Sequence, residues 1–187
     1  MSKLKKIQNL NLYKTPKKFR GKSKIAVQLW WLAYALFFRT SPQVLYGWRR
    51  FLLRSFGAKI GKKVMVRPSA QITYPWKVTI GDYSWVGDEV VLYSLGEIEI
   101  GSDTVISQRS YICTGSHDYT KNDFPIYSKK IVIEDSCWLA TDVFVAPSIT
   151  IKQGTVVGAR SSVFNDLEAF SVYAGSPAKF IKKREVE

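Results

Sequence analysis

Residues 80–115 read IGDYSWVGDEVVLYSLGEIEIGSDTVISQRSYICTG, and two periods run through them. An Ile-Gly pair opens the stretch at 80 and returns at 100, as it opened IGKKVM at 60, so one interval is 20 residues. Inside each interval an aliphatic residue returns every six: Ile60, Val66, Ile72; Ile80, Val86, Leu92; Ile100, Ile106, Ile112. The spacing resumes in Ile133, Leu139, Val145 and again in Ile151, Val157, Val163. Small or β-branched residues recur four places after such positions, among them Val64, Ser84, Val90, Thr104, Ser110, Ser116, Cys137, Val143, Thr155 and Ser161.

A period of six matches neither the 3.6-residue turn of a helix nor the two-residue alternation of a strand. It fits a solenoid with three short flat sides, each hexapeptide turning one corner and pointing its first residue inward. Three hexapeptides leave two residues of each interval over, Val78-Thr79 and Ile98-Glu99, which are assigned to one corner. After His117 the pattern stops, and it returns at Ile133. This predicts a prism over 57–183, an excursion from it over 118–130 and a short tail at 184–187. Cys137 falls at an inward position, where core packing is its expected role.

The chain ahead of the prism differs in kind. Of a net charge of +13, all the excess lies in residues 1–59, which hold 14 Lys/Arg and no Asp or Glu. Residues 1–24 show no apolar period and read as a mobile basic arm. IAVQLWWLAYALFF at 25–38 is apolar but short: as a helix it would span about 21 Å against about 30 Å of hydrocarbon. No small-residue cleavage site follows Phe38, which argues against a signal peptide. SPQVLYGWRRFLLRSFG at 41–57 places Ser41 as N-cap, Pro42 at the first helical position and Gly57 as the stop. Its apolar stripe is Val44, Leu45, Trp48, Phe51, Leu52 and Phe56, with Arg49, Arg50 and Arg54 alongside. Residues 25–56 therefore read as a helical hairpin that either packs on the prism or lies in a membrane interface through Trp30, Trp31, Phe37, Phe38 and Trp48.

His117 is the one histidine in 187 residues, set in YICTGSHDY immediately before the excursion. Two cysteines, Cys113 and Cys137, are too few for a disulfide framework and lack zinc spacing, so a reducing cytoplasm is the default setting. No metal is expected.

The hexapeptide period, the interruption after His117, and the ending WLATDVFVAPSITIKQGTVVGARSSVFNDL with YAGSPAKFIKK together resemble the hexapeptide-repeat acyltransferases. FGAKIGK, YPWKVTIGDYSWVGDEVVLYSLGEIEIG and ISQRSYICTGSHDY are similar, more narrowly, to the colanic-acid-type exopolysaccharide acetyltransferase branch. The resemblance implies an all-β left-handed parallel β-helix, a homotrimer, and acetyl-CoA as donor in the groove between adjacent prisms. It implies O-acetylation of a sugar or oligosaccharide acceptor of surface polysaccharide. Repeat units built on lipid carriers would place the enzyme in the cytoplasm, with peripheral contact at the inner membrane face.

Residue by residue, the resemblance makes His117 the general base. Trp138, Ala140, Thr141, Ala159, Lys179 and Lys182 match donor-binding positions. Two departures stand out: Phe164-Asn165 replaces a Thr-Lys pair, and Gly87 falls where simple galactoside and maltose acetyltransferases carry a substrate-contacting Asn. A different acceptor is implied, with Asp88, Tyr93 and Tyr119 as its nearest readers. Acetyl transfer to a hydroxyl needs a base, an oxyanion donor and exclusion of water. Subtracting one 20-residue interval from His117 gives Glu97, which one strand spacing of about 4.8 Å would set beside it. Glu97, Asp118 and a backbone carbonyl all remain candidates to orient the imidazole.

A γ-class carbonic anhydrase shares the prism but needs three histidines for zinc, which this sequence lacks. A nucleotide-sugar N-acyltransferase uses the same base and donor with an amine acceptor. A noncatalytic scaffold would use the basic arm on anionic lipid or nucleic acid, though the arm shows no base-reading motif and nucleic acid is the weaker partner.

Overall fold

The computed structural model describes residues 7–185. The first six residues of the basic arm and the last two of the tail lie outside them. The first coil of the prism comprises β1 (Lys59–Ile60), β2 (Met65–Val66) and β3 (Gln71–Ile72); the second comprises β4 (Val78–Ile80), β5 (Trp85–Val86) and β6 (Val91–Tyr93). β7 (Ile98–Ile100), β8 (Val105–Ile106) and β9 (Tyr111–Cys113) form the third. A ribbon of β10 (Gly115–His117) and β11 (Ile126–Ser128) then leaves the prism. β12 (Ile131–Ile133), β13 (Trp138–Leu139) and β14 (Phe144–Val145) resume it, and β15 (Thr150–Ile151), β16 (Val156–Val157) and β17 (Ser162–Val163) complete a fifth coil. β18 (Ser171–Ala174) and β19 (Lys179–Lys183) close the top as an antiparallel pair.

Stacking these coils gives three parallel sheets: β1-β4-β7-β12-β15, β2-β5-β8-β13-β16-β18 with β19 at its edge, and β3-β6-β9-β14-β17. The period's three-sided solenoid is present, and it is a left-handed parallel β-helix, as the resemblance implied. Every period-six aliphatic from Ile60 to Val163 is buried, none more than 8% exposed, and each contributes roughly 1.5–3 kcal/mol of burial. The Ile-Gly pairs have a steric cause: a Cβ on Gly81 would lie 2.5 Å from the Gly101 carbonyl carbon of the coil above. Cys137 is buried, and burial pushes its thiol up to about 11.

The excursion starts earlier than the period implied. The chain leaves at Gly115, not Asp118, so Ser116 pairs with Tyr127 in the ribbon and is only half-buried. It returns at Ile131, which pairs with Ile98.

The N-terminal helices cap the open first coil, where an unpaired edge would otherwise face water. α1 (Lys24–Ala33) is N-capped by Ser23, whose Oγ accepts from the Ala26 N–H at 3.2 Å, and runs on into a π-helical turn at Tyr34–Phe38. Its inner face is Val27, Trp30, Tyr34 and Phe38. Trp30 and Phe38 are fully buried, and the Trp30 indole donates to the Ile72 carbonyl at 2.9 Å, so neither is free to anchor in an interface.

α2 spans Tyr46–Ser55, and Ser41 is not its cap. The Ser41 hydroxyl donates to the Phe38 carbonyl at 2.6 Å and accepts from Arg49 Nη1 at 2.9 Å, so it serves the preceding turn. Nor does most of the expected stripe face inward: α2 buries Arg49, Leu52 and Leu53 and exposes Trp48 and Phe51, while Val44 and Leu45 stand exposed just ahead of it. Arg49 is fully buried without a carboxylate; its guanidinium donates to Ser41 Oγ and to the carbonyls of Val66, Pro42 and Gln43. Burial pushes its pKa below the ordinary guanidinium value, though it remains a cation at any ordinary pH.

Candidate active site

His117 ends β10 and faces Ile126 across the ribbon. The ribbon is fixed at its root. Thr114 Oγ1 donates to the Tyr93 carbonyl at 2.6 Å and accepts from the Gly96 N–H at 2.8 Å. Gly115 lets Leu95 pack close to the backbone, since a Cβ there would meet Leu95 Cδ1 at 2.6 Å and push that side chain aside. Leu95 in turn packs with Val27 of α1 and Tyr74, with Phe19, Tyr93 and Ile126 around them, so ribbon, arm and helix share one small cluster.

The imidazole itself is held by a backbone group. Nδ1 lies 2.9 Å from the Phe124 carbonyl oxygen, which can only accept, so Nδ1 carries the proton and Nε2 is left as the acceptor. The Phe124 ring stacks on the imidazole at 4.3 Å and 10°, and Phe124 sits at φ +48°, a backbone conformation rare for a bulky residue. The sequence carries no signal for Phe124 in this role.

Neither carboxylate is hydrogen-bonded to the imidazole. Asp118 Oδ1 accepts from the Thr120 N–H at 3.1 Å and from Thr120 Oγ1 at 2.5 Å, and Lys121 lies 3.7 Å from Oδ2. The Thr120 bonds, with Lys121 nearby, hold its pKa below the usual carboxylate value. Glu97 precedes Ile98, which pairs with Ile131, so its neighbour on the next coil is Lys130 and not His117. The 20-residue subtraction fails because His117 has left the prism. Burial pushes the Lys77 pKa down, with Glu97 opposing it in part, and the Lys77 ammonium donates to the carbonyls of Phe19 and Leu95.

The N-terminal arm is not loose where it is described. The Asn9 N–H donates to the Asn122 carbonyl at 2.8 Å, Tyr13 lies 6.2 Å from the His117 ring, and the Trp76 indole donates to the Arg20 carbonyl at 2.8 Å. Tyr13 therefore borders the imidazole, a position no local pattern announces.

The remaining candidate residues gather at another corner. The chain runs in order through the three sheets, so Gly87, Asp88, Ala140, Thr141 and Ala159 all fall at the turn between the second and third. There Gly87, Ser107, Ala140, Gly158 and Ala174 form a column of small residues beside exposed Trp85 and Trp138. The Trp138 indole donates to Ser107 Oγ at 3.1 Å, and Thr141 Oγ1 donates to the Gln108 carbonyl at 3.1 Å. Ala159 is exposed; Asp88 pairs with Arg67 at 3.0 Å. A cavity of about 390 Å³ opens here, lined by Tyr46, Arg67, Trp85, Gly87, Asp88 and Gln108 among others. Lys179 and Lys182 lie exposed on β19 above this sheet. His117, Tyr93, Asp118 and exposed Tyr119 belong to the opposite edge of the third sheet, so one chain does not bring the two sets together. Among the described residues no cluster of His, Cys, Asp and Glu could hold a metal.

No protein-family model matches the chain. Over 178 residues, 95% of this chain and 98% of its relative, it is 62% identical to an Escherichia coli K12 protein named as the colanic acid biosynthesis acetyltransferase WcaF. Its fold matches a maltose O-acetyltransferase from Clostridium difficile 630 with a TM-score of 0.81 at 24% identity, covering 92% of this chain and 99% of that one. It also matches the hexapeptide-repeat-containing acetyltransferase VCA0836 of Vibrio cholerae O1 biovar eltor, complexed with acetyl coenzyme A, with a TM-score of 0.76 at 23% identity, covering 91% and 89%. A near-complete match in sequence and a matching solenoid agree, and the chain belongs to the hexapeptide-repeat acetyltransferases of the colanic acid biosynthesis type.

Proposed function

We propose that the enzyme transfers acetyl from acetyl-CoA directly to a sugar hydroxyl of an exopolysaccharide repeat unit, with His117 as general base. The His117 tautomer carries this reading: Nδ1–H is committed to the Phe124 carbonyl, leaving Nε2 free to accept. Nε2 takes the hydroxyl proton as the sugar oxygen attacks the thioester carbonyl, the C–S bond breaks, and the same proton passes to the departing sulfur. The Phe124 carbonyl dipole supports the imidazolium meanwhile. No acyl-enzyme is needed.

The column Gly87, Ser107, Ala140, Gly158 and Ala174 leaves room for the pantetheine arm, and Lys179 and Lys182 suit its phosphates. Acetyl coenzyme A bound to VCA0836 supports this donor. That the column and His117 occupy different corners supports an active unit of more than one copy, which we read as a homotrimer in which one prism's column meets its neighbour's ribbon. Tyr13, Tyr93, Tyr119 and Asp88 then border the acceptor, which is lipid-linked.

Incubation with acetyl-CoA and a panel of hydroxyl and amino repeat-unit sugars, followed by free thiol, tests the reading. Release with hydroxyl acceptors is expected, and His117→Ala should lower kcat by about 100-fold or more with donor affinity unchanged. Activity within a few-fold of the parent removes the base assignment; preference for the amine makes the enzyme an N-acyltransferase. Ala159→Trp should block donor binding in calorimetry. Unchanged affinity would refute the groove.

A further inference from the structure

α1 and α2 each bury one face and leave the other bare. On α1 and its π-helical extension the bare face carries Ile25, Leu29, Leu32 and Leu36, spaced on one side of the helix and each more than half exposed. Phe37, exposed beside Leu36, carries the patch to α2: its carbonyl accepts from the Trp48 indole at 2.9 Å, and Trp48 stacks on Phe51 at 5.7 Å. A continuous exposed apolar patch on a folded domain marks an interaction surface.

Charge decides what covers it. Residues 1–59 hold 14 Lys/Arg and no acid, and among the described residues the first cation in any ion pair is Arg67. Arg49, Arg50 and Arg54 are occupied by carbonyl oxygens. Lys24 and Arg39 stand exposed at the two ends of the helical stretch, and Lys14, Lys17 and Lys18 stand exposed in the segment leading into it. A second copy docked face to face would set like charge against like. No helix among the described residues is long and apolar enough to cross a membrane.

We infer that the outer face of α1 and α2 docks on an anionic bilayer, with Leu29, Leu32, Leu36, Phe37, Trp48 and Phe51 in the headgroup region and the cations over lipid phosphate. Trp30 and Phe38, buried against the prism, take no part.

Flotation of the full chain with phosphatidylcholine vesicles, with and without phosphatidylglycerol, tests this. The parent should float with the phosphatidylglycerol vesicles and be released by high salt. Leu29→Gln with Leu32→Gln and Leu36→Gln should lower the bound fraction at least about tenfold, with melting temperature and sedimentation mass unchanged. Lys14→Gln with Lys17→Gln should lower it about fivefold per residue. Failure of the parent to float, or flotation of the triple leucine variant like the parent, overturns the inference. A fall in the triple variant's oligomeric mass overturns it too, since the face would then be a subunit contact.

Discussion

In the prism, position alone decides burial; in the hairpin it does not. All the period-six aliphatics are inside, whereas of the α2 stripe read from the sequence only Leu52 is fully inside, and Val44, Leu45, Trp48 and Phe51 are out. A coil's inward residue is checked by the coils above and below, each in fixed register, so a rotation would mis-seat every neighbour at once. A lone helix has no such check. α2 offers two apolar sides, Trp48 with Phe51 and Leu52 with Leu53, and packing against one end of the prism chose the second.

Adjacent residues of the hairpin test this most severely. Phe38 is fully buried, and Phe38→Ala should cost about 3–5 kcal/mol in chemical denaturation; a cost near zero would mean that the helices are not part of the cooperative core. Arg49→Ala should cost about 2–3 kcal/mol by stranding its carbonyl partners, with Arg49→Lys recovering only part. If Arg49→Ala melts with the parent, the buried cation is ornamental. Tyr13→Ala leaves the fold alone and should raise the acceptor KM about 3- to 10-fold at constant donor KM, and an unchanged acceptor KM would take the arm away from the site. Smallest is Phe37→Ala, expected within about 0.5 kcal/mol of the parent in denaturation, because its ring already stands in solvent. Equal penalties at Phe37 and Phe38 would erase the two-faced reading of α1.

The architecture was legible because fifteen inward aliphatics repeat one instruction. The candidacy of His117 was legible because it is single and sits where the repeat breaks. Its partner was not: subtracting 20 pointed to Glu97, but across the excursion the register offset is 33, as Ile98 with Ile131 shows, and the count has no meaning for a residue outside the prism. Phe124 and Tyr13 were beyond reach for another reason. One contact arises from a ribbon turn at positive φ, the other from an arm draped over residues a hundred positions away, and neither leaves a periodic trace.

That offset has a consequence for what the prism tolerates. Between the third and fourth coils the chain inserts 13 residues beyond the usual 20, since Tyr111 pairs with Phe144, yet the strands above and below continue in register. The entropy of closing a loop grows only as the logarithm of its length, so doubling this detour would cost about 0.6 kcal/mol. Ribbons of other lengths and side chains can therefore be spliced at this corner without disturbing the core. The ribbon is an exchangeable part mounted on a permanent spindle.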